Sequence, residues 1–185
     1  DGVRSTVSTG RGVYKTTDGG QSWQFAGLYN AGQIGAVRIH PSNPDIVWVG
    51  TGEANNRQSS SWGNGVYKST DAGKTWTNMR LKDSMHIGRI VIDPRNPEVV
   101  YVAAGGHLWG PNKERGLYKT TDRGRTWKAI LQVDALTGCC DVALDPQAPD
   151  TVYAAMYTRL RQKNHSFQSG GPAGGLFKST DGGQT

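Results

Sequence analysis

The sequence predicts an all-β chain: a β-propeller of four-stranded antiparallel blades, present as an incomplete propeller of about three blades. Three observations predict it. A Gly-Xaa-aromatic-Lys-Ser/Thr-Thr-Asp segment recurs four times, roughly 50 to 60 residues apart, within the range of blade periods. A second element, two short apolar runs about a proline turn, recurs between the copies. No stretch carries the 3.6-residue period of an amphipathic helix.

The first segment begins at Gly12-Val13-Tyr14-Lys15 and returns at Gly65-Val66-Tyr67-Lys68, Gly116-Leu117-Tyr118-Lys119 and Gly175-Leu176-Phe177-Lys178. Each copy runs into an aspartate: Asp18, Asp71, Asp122 or Asp181. In the first three copies a tryptophan follows, at Trp23, Trp76 and Trp127. The chemistry is that of a turn. The carboxylate accepts N–H groups of its own turn, and glycine supplies positive φ. The tryptophan buries a large ring against the adjacent strand. These aspartates and tryptophans are therefore assigned a structural role.

The second element reads Val37 to Pro41 followed by Asn43 to Val49, then Ile90 to Pro94 with Asn96 to Val102, then Val142 to Pro146 with Ala148 to Ala154. Proline fixes φ and lacks an N–H, so each pair is a hairpin with a loop of moderate length. In the first complete repeat, strand A spans Val37 to His40, B spans Ile46 to Gly50, C spans Val66 to Ser69 and D spans Thr75 to Met79. The chain is one partial propeller over 1–185, with blades at about 1–30 (partial), 31–82, 83–133 and 134–185 (partial). The remaining blades are expected from further sequence or from other chains, because an open ring leaves unpaired edges.

The Ser/Thr-Xaa-Asp-Xaa-Gly-Xaa-Ser/Thr-Trp pattern resembles the Asp-box, or bacterial neuraminidase repeat. With Asn-Pro-Asp/Glu before strand B and Gly-Xaa-Tyr-Lys before the box, the chain looks most like the sortilin-like bacterial glycosyl-hydrolase-type repeat proteins. The resemblance covers almost the whole chain and implies the fold. It also implies that the box turns lie far from the working face. One fold hosts many activities, so function must come from the loops.

In an antiparallel blade the A–B and C–D turns share one end, and the B–C and D–A loops share the other. The B–C loops here are long, at 51–64, 105–115 and 158–174. Long loops on a rigid scaffold are where binding residues gather. They carry Glu53, Asn55, Asn56, Arg57 and Trp62 in one blade and His107, Trp109 and Arg115 in the next. Aromatic faces beside amides, arginines and carboxylates suit a sugar or a peptide. The competing explanation is that Trp62 and Trp109 fill gaps between blades. Glu53, then Glu114, are the carboxylates best placed for glycoside hydrolysis, but no convincing pair is seen.

Composition bounds the partners. The net charge of +6 permits an anionic one. Nucleic acid is not expected, since neither a known module nor a basic stripe with stacking aromatics is present. No apolar run approaches a membrane span, so membrane contact would be indirect. No metal or cofactor motif is found. The adjacent Cys139 and Cys140 are read as a buried strand-end pair. The residues thus favour a non-enzymatic extracytoplasmic propeller that binds a protein, peptide or glycan through its long-loop face, within a larger polypeptide or assembly. A glycoside hydrolase of the Asp-box group is the alternative.

Overall fold

The computed structural model describes residues 10–55, 60–162 and 168–185. Among the described residues every regular element is a strand except one 3-10 turn, Lys82–Ser84. Blade I is a hairpin of β1 (Tyr14–Lys15) and β2 (Gln24–Phe25). Blade II is β3 (Ile34–His40), β4 (Asn43–Thr51), β5 (Val66–Ser69) and β6 (Thr77–Asn78), antiparallel and in chain order. Blade III repeats that order with β7 (Ile87–Ile92), β8 (Val100–Ala104), β9 (Gly116–Thr120) and β10 (Lys128–Leu131). Blade IV pairs β11 (Thr137–Leu144), β12 (Val152–Leu160) and β14 (Gly175–Ser179). A short β13 (Gln168–Ser169) lies on the far end of β12.

The strand limits differ from the sequence expectation for physical reasons. Strand D of blade II pairs only at Thr77–Asn78. The Thr75 N–H donates instead to Asp71 Oδ1 at 2.8 Å, so the turn holds what the ladder would have used. The A–B loop of blade II is only Pro41–Ser42, because His40 Nδ1 accepts both Ser42 N–H (3.2 Å) and Asn43 N–H (3.1 Å). Pro44 then falls inside β4, where the register slips between Ile39 and His40 and no ladder donor is required of it. The two cysteines are not a buried pair. They are free thiols within β11, and strand alternation buries Cys139 while leaving Cys140 exposed.

The core shows why the middle strands read as continuous apolar runs. Val100, Val102 and Ala104 of β8 face blade II, packing with its Trp48 and Val66 and with Ile87 of β7. Tyr101 and Ala103, on the opposite face, pack with Val142, Val152 and Ala154 of blade IV. A strand covered on both faces gains from every side chain, about 1.5–3 kcal/mol for each large apolar one fully buried. The first strands β3, β7 and β11 lie side by side. Their approach needs glycine: a Cβ on Gly35 would stand 2.4 Å from the Ile87 carbonyl oxygen, and one on Gly88 2.6 Å from that of Cys140.

The four aspartate turns share one bonding scheme. Asp71 accepts Ser69 Oγ–H at 2.8 Å and Thr75 Oγ1–H at 2.6 Å, and Asp122 accepts Thr120 (2.7 Å) and Thr126 (2.6 Å) in the same way. Asp18 and Asp181 do likewise with Thr16 and Ser179. The Asp71, Asp122 and Asp181 turns also each receive a lysine from the preceding blade: Lys15 Nζ donates to Ala72 O (3.4 Å), Lys68 to Arg123 O (3.3 Å) and Lys119 to Gly182 O (2.8 Å). At the outer faces, where no described blade follows or precedes, Trp23 is 61% and Leu176 74% exposed.

Candidate functional site

The B–C and D–A loops meet at one end of the blades. In blade III the 3-10 turn Lys82–Ser84 is the D–A loop, and the segment 105–115 is the B–C loop. Asn112 joins them, donating from Nδ2 to the Asp83 carbonyl at 2.9 Å. His107 Nε2 lies 2.9 Å from Asp83 Oδ1. Glu114 Oε2 accepts the Ser84 N–H at 3.0 Å. Asp83 itself is 62% exposed at its side chain, so a fixed carboxylate faces solvent.

The backbone around Asp83 is unusual. Arg80, Leu81 and Met85 all have positive φ, at 79°, 54° and 59°. Non-glycine residues in that region cost about 1–3 kcal/mol each and gather at functional sites. Packing holds them in place: Leu81 is buried in the core cluster and the Arg80 N–H donates to Asn78 Oδ1 at 3.0 Å.

The residues singled out in the sequence divide into groups. Trp62 and Trp109 are 51% and 55% exposed, so neither fills a gap between blades. Arg161 lies over the Trp109 ring, 5.9 Å from its centroid, and pairs with it as a parallel bridge. Asn55 is exposed. Glu53 is 3% exposed and accepts the Ser61 N–H at 3.0 Å. Arg115 is fully buried. It donates to the carbonyls of Gly105 (3.0 Å), Leu136 (3.2 Å), Gly110 (3.1 Å) and His107. Glu53 and Arg115 therefore act inward on loop backbone. Asn56 and Arg57 lie outside the described residues.

Asp83, His86 and Arg159 were not chosen from sequence. Asp83 owes its place to positive-φ backbone at ordinary residue types, which leaves no trace in the sequence. His86 stands where blade II has Gln33, each just before an Ile-Gly pair, and that substitution was a readable signal. Its ring is buried and donates from Nδ1 to Gly106 O at 2.8 Å. Burial, with Arg159, His107 and Arg115 near, pulls its pKa down to about 4. Desolvation likewise lowers Arg115 and Arg159 to about 10.

These features define a β-propeller with a loop-built face, and comparison with known proteins places it further. The Sortilin-Vps10 family model (sortilin, neurotensin receptor 3) matches residues 64–185. The chain belongs to the Sortilin-Vps10 family. It is 32% identical over 99 residues to a probable oligoxyloglucan-reducing end-specific xyloglucanase of Neosartorya fischeri, a match covering 51% of this chain and 10% of that protein. A xyloglucanase of a Paenibacillus species is 24% identical over 196 residues, covering 94% of this chain and 18% of the relative. Among solved structures, an ancestral GH74 enzyme superposes with a TM-score of 0.63 at 22% identity, covering 94% of this chain and 20% of the other. The Niastella koreensis GH74 enzyme gives 0.63 at 23% identity, covering 94% and 25%. The structural likeness shows the fold. The chain spans less than a fifth of the length of these curated relatives.

The expectation of a non-enzymatic binder is corrected by these relatives. The proteins that match are named as xyloglucanases, which favours the glycoside-hydrolase alternative. The sequence favoured a binder because Glu53 and Glu114 made no convincing catalytic pair, and both are bonded to loop backbone.

Proposed function

We propose that this chain is a propeller segment of a secreted glycoside hydrolase acting on a xyloglucan-type polysaccharide. Its recurrent aspartate turns are read as Asp-boxes, a scaffold remote from the chemistry. The B–C and D–A loops form the sugar-binding face. Trp62 and Trp109 offer exposed rings for stacking on sugars, with Asn55 as a polar partner.

The observation that carries this reading is Asp83: exposed, oriented by His107 and Asn112, and set in a strained turn. Glycoside hydrolysis uses two carboxyl groups across the scissile bond. Asp83 is proposed as one of them. A carboxylate has about four acceptor positions, so two neighbouring donors leave room to take a proton from water or to face an anomeric carbon. The second carboxyl would come from the rest of the protein. The test is the full-length protein incubated with xyloglucan, its oligosaccharides, unbranched β-glucan and chitin, with new reducing ends measured. Release from xyloglucan supports the proposal; no release from any of them contradicts it.

A further inference from the structure

We propose that the wall between blades III and IV holds a small monovalent anion with the size and chemistry of chloride, bound by Arg115 and Arg159. The two arginines are 1% and 6% exposed. Both bond only to main-chain carbonyls: Arg159 Nη2 donates to Gly106 O at 3.2 Å, and Arg115 to Gly105, Leu136, His107 and Gly110. In each, the Nε–H is buried and has no acceptor. They converge on the turn 105–107, where Arg115 Nη1 holds the Gly105 carbonyl and Arg159 the next one.

The charge balance is the stronger argument. Carbonyls satisfy hydrogen bonds but do not cancel charge, and two buried cations without a counter-ion are costly. Among the described residues no carboxylate forms an ion pair with either guanidinium. Asp134, the acidic group that acts on Arg115, has its Oδ1 taken by the N–H groups of Leu136 (2.8 Å) and Thr137 (2.7 Å). The internal segments outside the described residues, 56–59 and 163–167, contain no aspartate or glutamate. Desolvation, and then the positive charge of Arg115, depress the Arg159 pKa. An anion seated on the free Arg159 Nε–H, beside the turn on which Arg115 also converges, would satisfy that donor and offset the charge.

His86 makes the site distinguishable from one holding only water. With Nδ1 donating to Gly106 O, the neutral ring presents a lone pair at its buried, unpartnered Nε2. Water can donate to that lone pair and a halide cannot. The anion therefore binds with a proton on His86, whose charged or titratable neighbours are Arg159, His107 and Arg115. The inference does not depend on the hydrolase proposal.

The experiment is unfolding of the native full-length protein at constant ionic strength, with gluconate exchanged for chloride. At chloride a hundred times its dissociation constant, the folded-to-unfolded ratio should rise about a hundredfold. The chloride affinity should tighten from pH 7 to pH 5, and Arg159→Met should abolish the effect. In crystals grown with bromide, an anomalous peak should lie within hydrogen-bond reach of Arg159 Nε. That measurement stands whether or not the variant folds. Equal unfolding midpoints in the two salts, a chloride effect that survives Arg159→Met, or no bromide at that nitrogen would overturn the proposal.

Discussion

The indole Nε1 of Trp76, in blade II, donates to the main-chain carbonyl of Ala26, in blade I, at 2.6 Å. Trp127 repeats the contact one blade on, to Met79 O at 2.7 Å. Trp76 and Trp127 thus each tie their blade to the previous one, while the previous blade's lysine returns to the turn. Trp76→Phe keeps most of the ring and removes the donor. It should cost about 1 kcal/mol, the usual net value of one such bond. Urea unfolding of Trp76→Phe beside Trp76→Ala checks this. The alanine variant should lose clearly more, and a phenylalanine variant as stable as the parent would show that the bond adds nothing.

The aspartate turns should make the fold acid-sensitive in a defined window. Hydrogen bonds from Thr75 and Ser69 pull the Asp71 carboxyl down from 3.8 to about 2. The folded state thus favours the ionised form. The stabilisation is present above the unfolded value and is lost as pH falls from about 4 towards 2. Asp71→Asn should be less stable at neutral pH, and its unfolding midpoint should fall less than that of the parent between pH 5 and pH 2.5. Parallel profiles would mean that the turn does not prefer the carboxylate.

His86 sets a second window. Its pKa is lowered from 6.5 to about 4, so the folded chain disfavours the imidazolium. That stabilisation is present above pH 6.5 and is lost as pH falls through about 4. In chloride-free buffer, stability should decline across this range. His86→Gln, which places at this position the residue type of Gln33, should flatten the decline. A variant with the parent's slope would assign the pH dependence to other groups.

The fold was legible because it repeats. Alternating apolar positions such as Val100 and Val102 against Tyr101 and Ala103 mark strands whichever blade covers them, and Asp71 and Asp122 announce their own turns. The loop face was legible as a region, and less so as a set of residues. Trp62 and Trp109 are exposed there, while Glu53 and Arg115 turn inward because loop backbone needs partners as much as a ligand does. Asp83 was not legible as a site residue. Its significance comes from the left-handed backbone of Leu81 and Met85 and from contact with His107, 24 residues away.

The most direct measurement is the turnover of full-length Asp83→Asn on xyloglucan oligosaccharides, with thermal midpoint and binding measured on the same samples. Asparagine keeps the size of the side chain and removes its proton-accepting charge. If Asp83 is a reacting carboxyl, kcat should fall by about 100- to 10,000-fold, the usual contribution of a positioned acid or base. The midpoint and the affinity for the oligosaccharide should stay near those of the parent. Turnover at the parent's rate in a folded Asp83→Asn protein would contradict the account.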